Sequence, residues 1–137
     1  MNADLTEMMR VTRLVLDAEL AKLRTIGAEV DGFRAAIAEL DRDVRTRARH
    51  LANLEADDSA RLAGRDGPWL GWVARQRRSL TGAMADAAAR RETQRVVARR
   101  AFGRVEALTG LKRLEAAQLR QDARRRAIGD TGAPQRS

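Results

Sequence analysis

An all-α fold, a long antiparallel two-helix coiled-coil hairpin, is what this 137-residue sequence predicts, and three observations carry the expectation. Apolar side chains recur at alternating steps of three and four residues from Met9 to Leu54. A cluster of helix-breaking residues follows between 56 and 67, and a second, thinner apolar stripe starts at Trp69. A stripe with a period of 3.5 residues is the pattern of a helix that supercoils left-handedly around a partner.

The first helix is expected over about residues 4–55. Its seam is Met9, Thr12, Leu16, Glu19, Leu23, Ile26, Val30, Phe33, Ile37, Leu40, Val44, Arg47, Leu51 and Leu54, broken only by Thr12, Glu19 and Arg47. Gly27 and Gly32 lie inside it and cost only about 1 kcal/mol each, too little to end the helix. The turn is placed at about 56–67, where Ala56-Asp57-Asp58-Ser59 and Gly64-Arg65-Asp66-Gly67-Pro68 supply breakers. Residues 60–63 are read there as an extra helical turn, Asp66 or Gly67 as the cap, and Pro68 as suited to the first turn of the next helix.

The second helix is expected over about 68–128, with a seam of Trp69, Val73, Leu80, Met84, Ala87, Ala98, Ala101, Val105 and Leu108. Arg91 and Gln94 share that stripe, and Leu111, Leu114 and Leu119 drift off its register. Alanine-rich layers let helices approach closely but bury little area each. Residues 1–128 form one helical-hairpin domain on this reading, and the polar, turn-forming 129–137 form a disordered tail. Pairing across the hairpin is expected where residue numbers sum to about 125, which sets Arg47 near Arg77 and Arg78.

Composition narrows the classes. With 3% aromatic and 34% charged residues, the chain has little to fill a globular interior. It has no cysteine, which removes disulfides and thiolate metal sites and fits a reducing compartment. No secretory signal and no apolar window of membrane-spanning length is visible, so a soluble, cytoplasmic protein is expected, peripheral to a membrane at most.

Charge is uneven. Residues 1–60 carry nine Lys and Arg against twelve Asp and Glu, net −3, while 61–137 carry eighteen against seven, net +11, together the chain's +8. The imbalance favours pairing of the first half with the second. Only Lys22 and Lys112 are lysines.

A two-helix rod offers no enclosed pocket for a nucleophile, an acid or base and a water-excluding wall, so no enzyme and no cofactor is expected. His50 is the only histidine, and without companion ligands it reads as a solvated or packing residue. Gly64-Arg65-Asp66-Gly67 lacks the lysine and spacing of a phosphate-binding loop. The exception to this plainness is Pro68-Trp69-Leu70-Gly71-Trp72-Val73. Trp69 and Trp72 share a helix face with Val73 and Gln76, whereas Leu70 points elsewhere. Four large apolar side chains cannot all enter a two-helix seam, so at least one is expected exposed, where tryptophan is a common binding hot spot. The competing role is to plug the hairpin tip on Leu51, Leu54 and Leu62. Arg75, Arg77 and Arg78 rim the cluster.

A stripe of arginines, Arg90, Arg91, Arg95, Arg99, Arg100 and Arg104, continues through Arg113, Arg120 and Arg124-Arg125-Arg126. Such a stripe suits the first helix, an acidic protein partner or phosphates. It lacks the interleaved aromatics that stack on bases, so nucleic acid ranks behind protein as its partner.

The layout, with Trp72-Val73-Ala74-Arg75-Gln76-Arg77-Arg78-Ser79-Leu80 and Ala101-Phe102-Gly103-Arg104-Val105-Glu106-Ala107-Leu108, resembles the FliJ family of flagellar export proteins and, more distantly, the stalk proteins of virulence type III secretion. The resemblance implies a non-enzymatic, monomeric hairpin at the cytoplasmic face of the inner membrane that couples an export ATPase to the cytoplasmic domain of an export gate, with chaperone escort as an added role. Gate contact would fall to Trp69, Trp72, Gln76 and Arg75. The paired terminal ends would enter the ATPase ring through Met9, Arg13, Leu16, Leu111, Arg113 and Arg120. The chain departs from the family in ending on Arg124-Arg125-Arg126-Ala127-Ile128-Gly129 rather than on an acidic, lysine-containing segment. A basic nucleic-acid-binding protein and a generic coiled-coil scaffold subunit are the alternatives.

Overall fold

A computed structural model describes residues 2–132 and contains three helices in the order α1 (Asn2–Ala52), α2 (Ala56–Ala63) and α3 (Gly67–Gly132), with no strand among the described residues. The all-helical class is as the heptad pattern requires. Every seam position from Met9 to Leu54 is half-buried or buried, and so is every position of the second seam, including Arg91 and Gln94. Leu111, Leu114 and Leu119, which leave the register, are exposed.

Two of the seam's three polar breaks have explanations in the structure. The Thr12 hydroxyl donates to the carbonyls of Met8 and Met9, so a half-buried hydroxyl needs no partner across the helix. Arg47 is answered by an acid, Asp66, from beyond the turn.

The turn differs from the expectation. Ala56-Asp57-Asp58-Ser59 does not break structure but starts α2, with Glu55 extended ahead of it at φ −62° and ψ 152°. Acidic side chains are favoured in a first helical turn because unpaired N–H groups there carry partial positive charge, and Asp57 and Asp58 occupy that turn. The Ser59 amide donates to the Glu55 carbonyl at 2.8 Å. After α2, the Asp66 amide donates to Ala63 at 3.1 Å, and the Asp66 carbonyl accepts the first bond of α3 from Leu70 at 2.8 Å. Pro68 thus stands in the first turn of α3, where its missing N–H costs nothing. No residue in this chain has a positive φ among those described, glycines included.

Contacts group the chain into two compact units. The first comprises Ala21–Arg95 and the second Met1–Leu20 with Val96–Ser137, taken over its described residues. Within Ala21–Arg95 three ion pairs join distant segments: Glu29 to Arg90 at 2.8 Å, Asp41 to Arg77 at 2.9 Å and Arg47 to Asp66 at 2.8 Å. The partner's number falls as the α1 number rises, the order of two segments that pass one another in opposite directions. The sums 119 and 118 of the two α1–α3 pairs nearer mid-helix correct the expected value of about 125. Arg47 accordingly meets Asp66 rather than Arg77 or Arg78. The cause lies in the turn: α1 ends at Ala52 and α3 begins at Gly67, bounds that themselves sum to 119. Buried here are Val30, Val73, Ala87 and Asp66.

In the second unit the buried apolar side chains among the described residues are Ala98, Ala101 and Val105. Leu5 and Thr6 of α1 line a surface cleft of about 280 Å³ with Lys112, Glu115, Ala116 and Leu119 of α3. Helix α3 runs on to Gly132, so residues 129–132 of the expected disordered tail are helical, and the remainder of that tail lies outside the described residues.

Candidate functional site

The first candidate surface is built where α3 leaves the turn. Burial of Val73 fixes the rotation of the helix, and the seam positions Trp69 and Gln76 turn inward with it, both half-buried. Leu70 and Trp72 are left outside, Trp72 with 46% of its surface exposed. Arg75 is exposed one turn beyond, its guanidinium folded back so that a Cβ added at Gly71 would meet Nη1 at 3.4 Å. The four residues expected at a gate contact therefore divide, Trp69 and Gln76 toward the interior stripe and Trp72 and Arg75 toward solvent. At least one large apolar side chain of this segment is expected outside, and two are, Leu70 and Trp72.

Trp69 also borders an open cleft of about 510 Å³ lined by Asp43, Thr46, Arg47, His50 and Asp66. Its floor is a two-pronged ion pair: Arg47 Nε donates to Asp66 Oδ2 at 2.8 Å and Nη2 donates to Oδ1 at 3.0 Å. The hydrogen bond from Arg47 holds the Asp66 carboxyl below the ordinary aspartate range against the opposing effect of burial, and Asp66 in turn raises Arg47. Both groups are committed to one another, so the cleft presents an already neutralised pair. Asp41 is lowered likewise, chiefly by its hydrogen bond from Arg77 against the opposing effect of burial, with lesser help from the charges of Arg77 and Arg45. No group of three or more His, Asp or Glu residues arranged to hold a metal ion occurs among the described residues.

The second candidate surface belongs to the unit of the chain ends. The residues expected there at an ATPase ring are all present in that unit, but they do not share one environment. Met9 and Leu16 are half-buried on the seam, whereas Arg13, Leu111, Arg113 and Arg120 are exposed. Among the described residues Arg99, Arg100, Arg104, Arg113, Arg120, Arg124 and Arg125 form no ion pair, so the basic stripe of this unit is not spent on the protein's own acids. Sequence reasoning missed a further set here: Met8, Val11, Leu14 and Val15 are all exposed on α1. The signal was available, since Met8, Val11 and Val15 each stand one residue ahead of a seam position and so repeat at the same spacing.

No helix is long and apolar enough to cross a membrane among the described residues. No protein-family model, curated protein or solved structure matches the chain.

Proposed function

We propose that the chain is a non-enzymatic stalk: an antiparallel coiled-coil hairpin of the flagellar or type III export apparatus, coupling an export ATPase to the cytoplasmic part of an export gate and escorting chaperones. The observation that carries this reading is the exposure of Trp72 with Arg75 one turn on, on a helix whose seam from Trp69 to Leu108 is half-buried or buried. A solvent-exposed tryptophan rimmed by arginine is the composition of a protein-binding hot spot, and here it stands on a rigid helix rather than on a loop. The falling order of the three cross-segment ion pairs and the withdrawal of both 3.5-residue stripes support the hairpin itself. A monomer at the cytoplasmic face of the inner membrane accords with this role.

Two measurements test it. Replacing Trp72 by Ala leaves helicity intact and weakens gate binding by about 10-fold or more, the scale of a lost hot spot; unchanged affinity removes Trp72 from the contact. The purified chain forms a stoichiometric complex with the export ATPase at moderate salt and raises its hydrolysis rate, with DNA unable to compete.

The unpaired arginines of α3 favour a second reading, a basic helical protein that binds nucleic acid. Under it, DNA affinity falls on the order of 10³-fold between about 50 and 200 mM salt, and DNA displaces any protein partner.

A further inference from the structure

The unit of the chain ends carries a second apolar stripe that its own two helices do not use. On α1, Met8, Val11 and Val15 immediately precede the seam positions Met9, Thr12 and Leu16. On α3 the inner positions continue past Val105 and Leu108 through Lys112 and Glu115, the last two lining the cleft with Leu5 and Thr6. Leu111 and Leu114 immediately precede these, and they are 53% and 69% exposed. Stepping back one residue turns a helix by about 100°, and on two antiparallel helices packed seam to seam that rotation leads to the same flank. The five side chains therefore line one side of the helix pair, on the hairpin reading proposed above. The stripe does not end in apolar residues. Toward lower numbers on α3 the same positions hold Arg104 and Arg100, both exposed and both without an ion pair among the described residues.

We infer that this flank is the seat of a third helix, an acidic amphipathic helix from a protein partner, whose apolar stripe covers Met8, Val11, Val15, Leu111 and Leu114 and whose carboxylates meet Arg100 and Arg104. The span from Arg100 to Leu114 is about 20 Å at 1.5 Å per residue, four turns of the incoming helix. Charge selects this occupant over a second copy. Residues 1–20 carry two basic and four acidic side chains and 96–137 carry ten and four, so two such units, each net +4, repel one another. Nucleic acid would engage the arginines but gain nothing from five exposed apolar side chains, which ask for an apolar ligand.

The test uses the full chain and two labelled model peptides of about 20 residues, sharing one leucine stripe of 3.5-residue period and flanked by glutamate in one and lysine in the other. Fluorescence anisotropy at about 150 mM salt is expected to give the glutamate peptide at least about 10-fold tighter binding. The double variant V15S/L111S, which keeps every charge, is expected to lose about 10-fold, while F102S, an exposed apolar position one residue after the seam and so on the other flank, stays within about twofold. Binding of neither peptide, equal binding of both, an unchanged double variant (which would mean charge alone, as for nucleic acid), or an equal loss in F102S overturns the inference. So does a dimer in sedimentation that V15S/L111S abolishes. Cysteines placed at Thr6 and Glu115 in this cysteine-free chain separate the two levels: failure of a short bifunctional reagent to join them overturns the hairpin and the third helix together, whereas efficient joining without peptide binding overturns the third helix alone.

Discussion

The two units of the chain are made from the same two long helices yet finish their surfaces differently. In Ala21–Arg95 three ion pairs join segments far apart in sequence, and of the large apolar side chains only Leu70 and Trp72 stand exposed. In Met1–Leu20 with Val96–Ser137, no such long-range pair joins the described residues that carry the basic stripe, and eleven large apolar side chains of the described residues are exposed. The first unit spends part of its charge on pairs that tie its segments together, and exposes two large apolar side chains on different sides of α3. The second sets arginines without an ion pair among the described residues beside exposed apolar side chains, the composition that the inferred third helix would cover.

A charge placed in each unit should have the most unequal effects. Val30 is 1% exposed, so Val30→Asp buries an unpaired carboxylate and should cost about 3 kcal/mol or more in thermal unfolding. Val11 is an exposed valine of the other unit, and Val11→Asp should change stability by about 0.5 kcal/mol or less. Equal costs would mean that the flank bearing Val11 is covered in the free protein.

Acid should test the first unit next. Asp41 and Asp66 have lowered folded-state values, so the stability they contribute is fully present above the ordinary aspartate value of 3.8 and is lost as pH falls through the lowered values beneath it. Both acids and both tryptophans lie in Ala21–Arg95. Tryptophan emission should therefore report loosening of that unit only below pH 3.8, and Asp66→Asn, which keeps the capping carbonyl, should remove much of the dependence. An acid response identical in D66N would show that Arg47 and Asp66 do not hold the turn.

The smallest expected effect is at Thr12. Its hydroxyl is satisfied by its own helix, so Thr12→Val should raise stability by about 0.5 kcal/mol through added apolar burial. A clear loss on calorimetry would assign the hydroxyl a role beyond its own backbone.

How much of this was legible in the residues depends on whether one helix or two decide it. Which face of α1 turns inward is a property of α1 alone, and the positions from Met9 to Leu54 could be read from spacing. Which residue meets which depends on where the turn is centred, and there the acidic run Asp57-Asp58 misled: it reads as a breaker by composition but acts as a helix start by position. The pairing of Arg47 with Asp66 was hidden by the same error. Trp72 and Leu70 followed from crowding, since one seam cannot take every large side chain of that segment. The flank of Met8, Val11 and Val15 was missed because a first stripe had already accounted for the helix, although Leu111 and Leu114 off the register were its counterpart in plain view.

The turn itself has a consequence for the malleability of the molecule. Because it contains no left-handed residue, its two glycines are not steric necessities: Gly64 has φ −63° and ψ −22°, and a methyl group there would meet only the carbonyl oxygens of Ala60 and Arg61 at 3.7 Å. An ordinary side chain fits that backbone, and an alanine there would narrow the unfolded ensemble. The bend at Gly64 is thus open to sequence drift, a place where a label can be attached without asking the backbone for any unusual geometry, provided that Asp66 is kept.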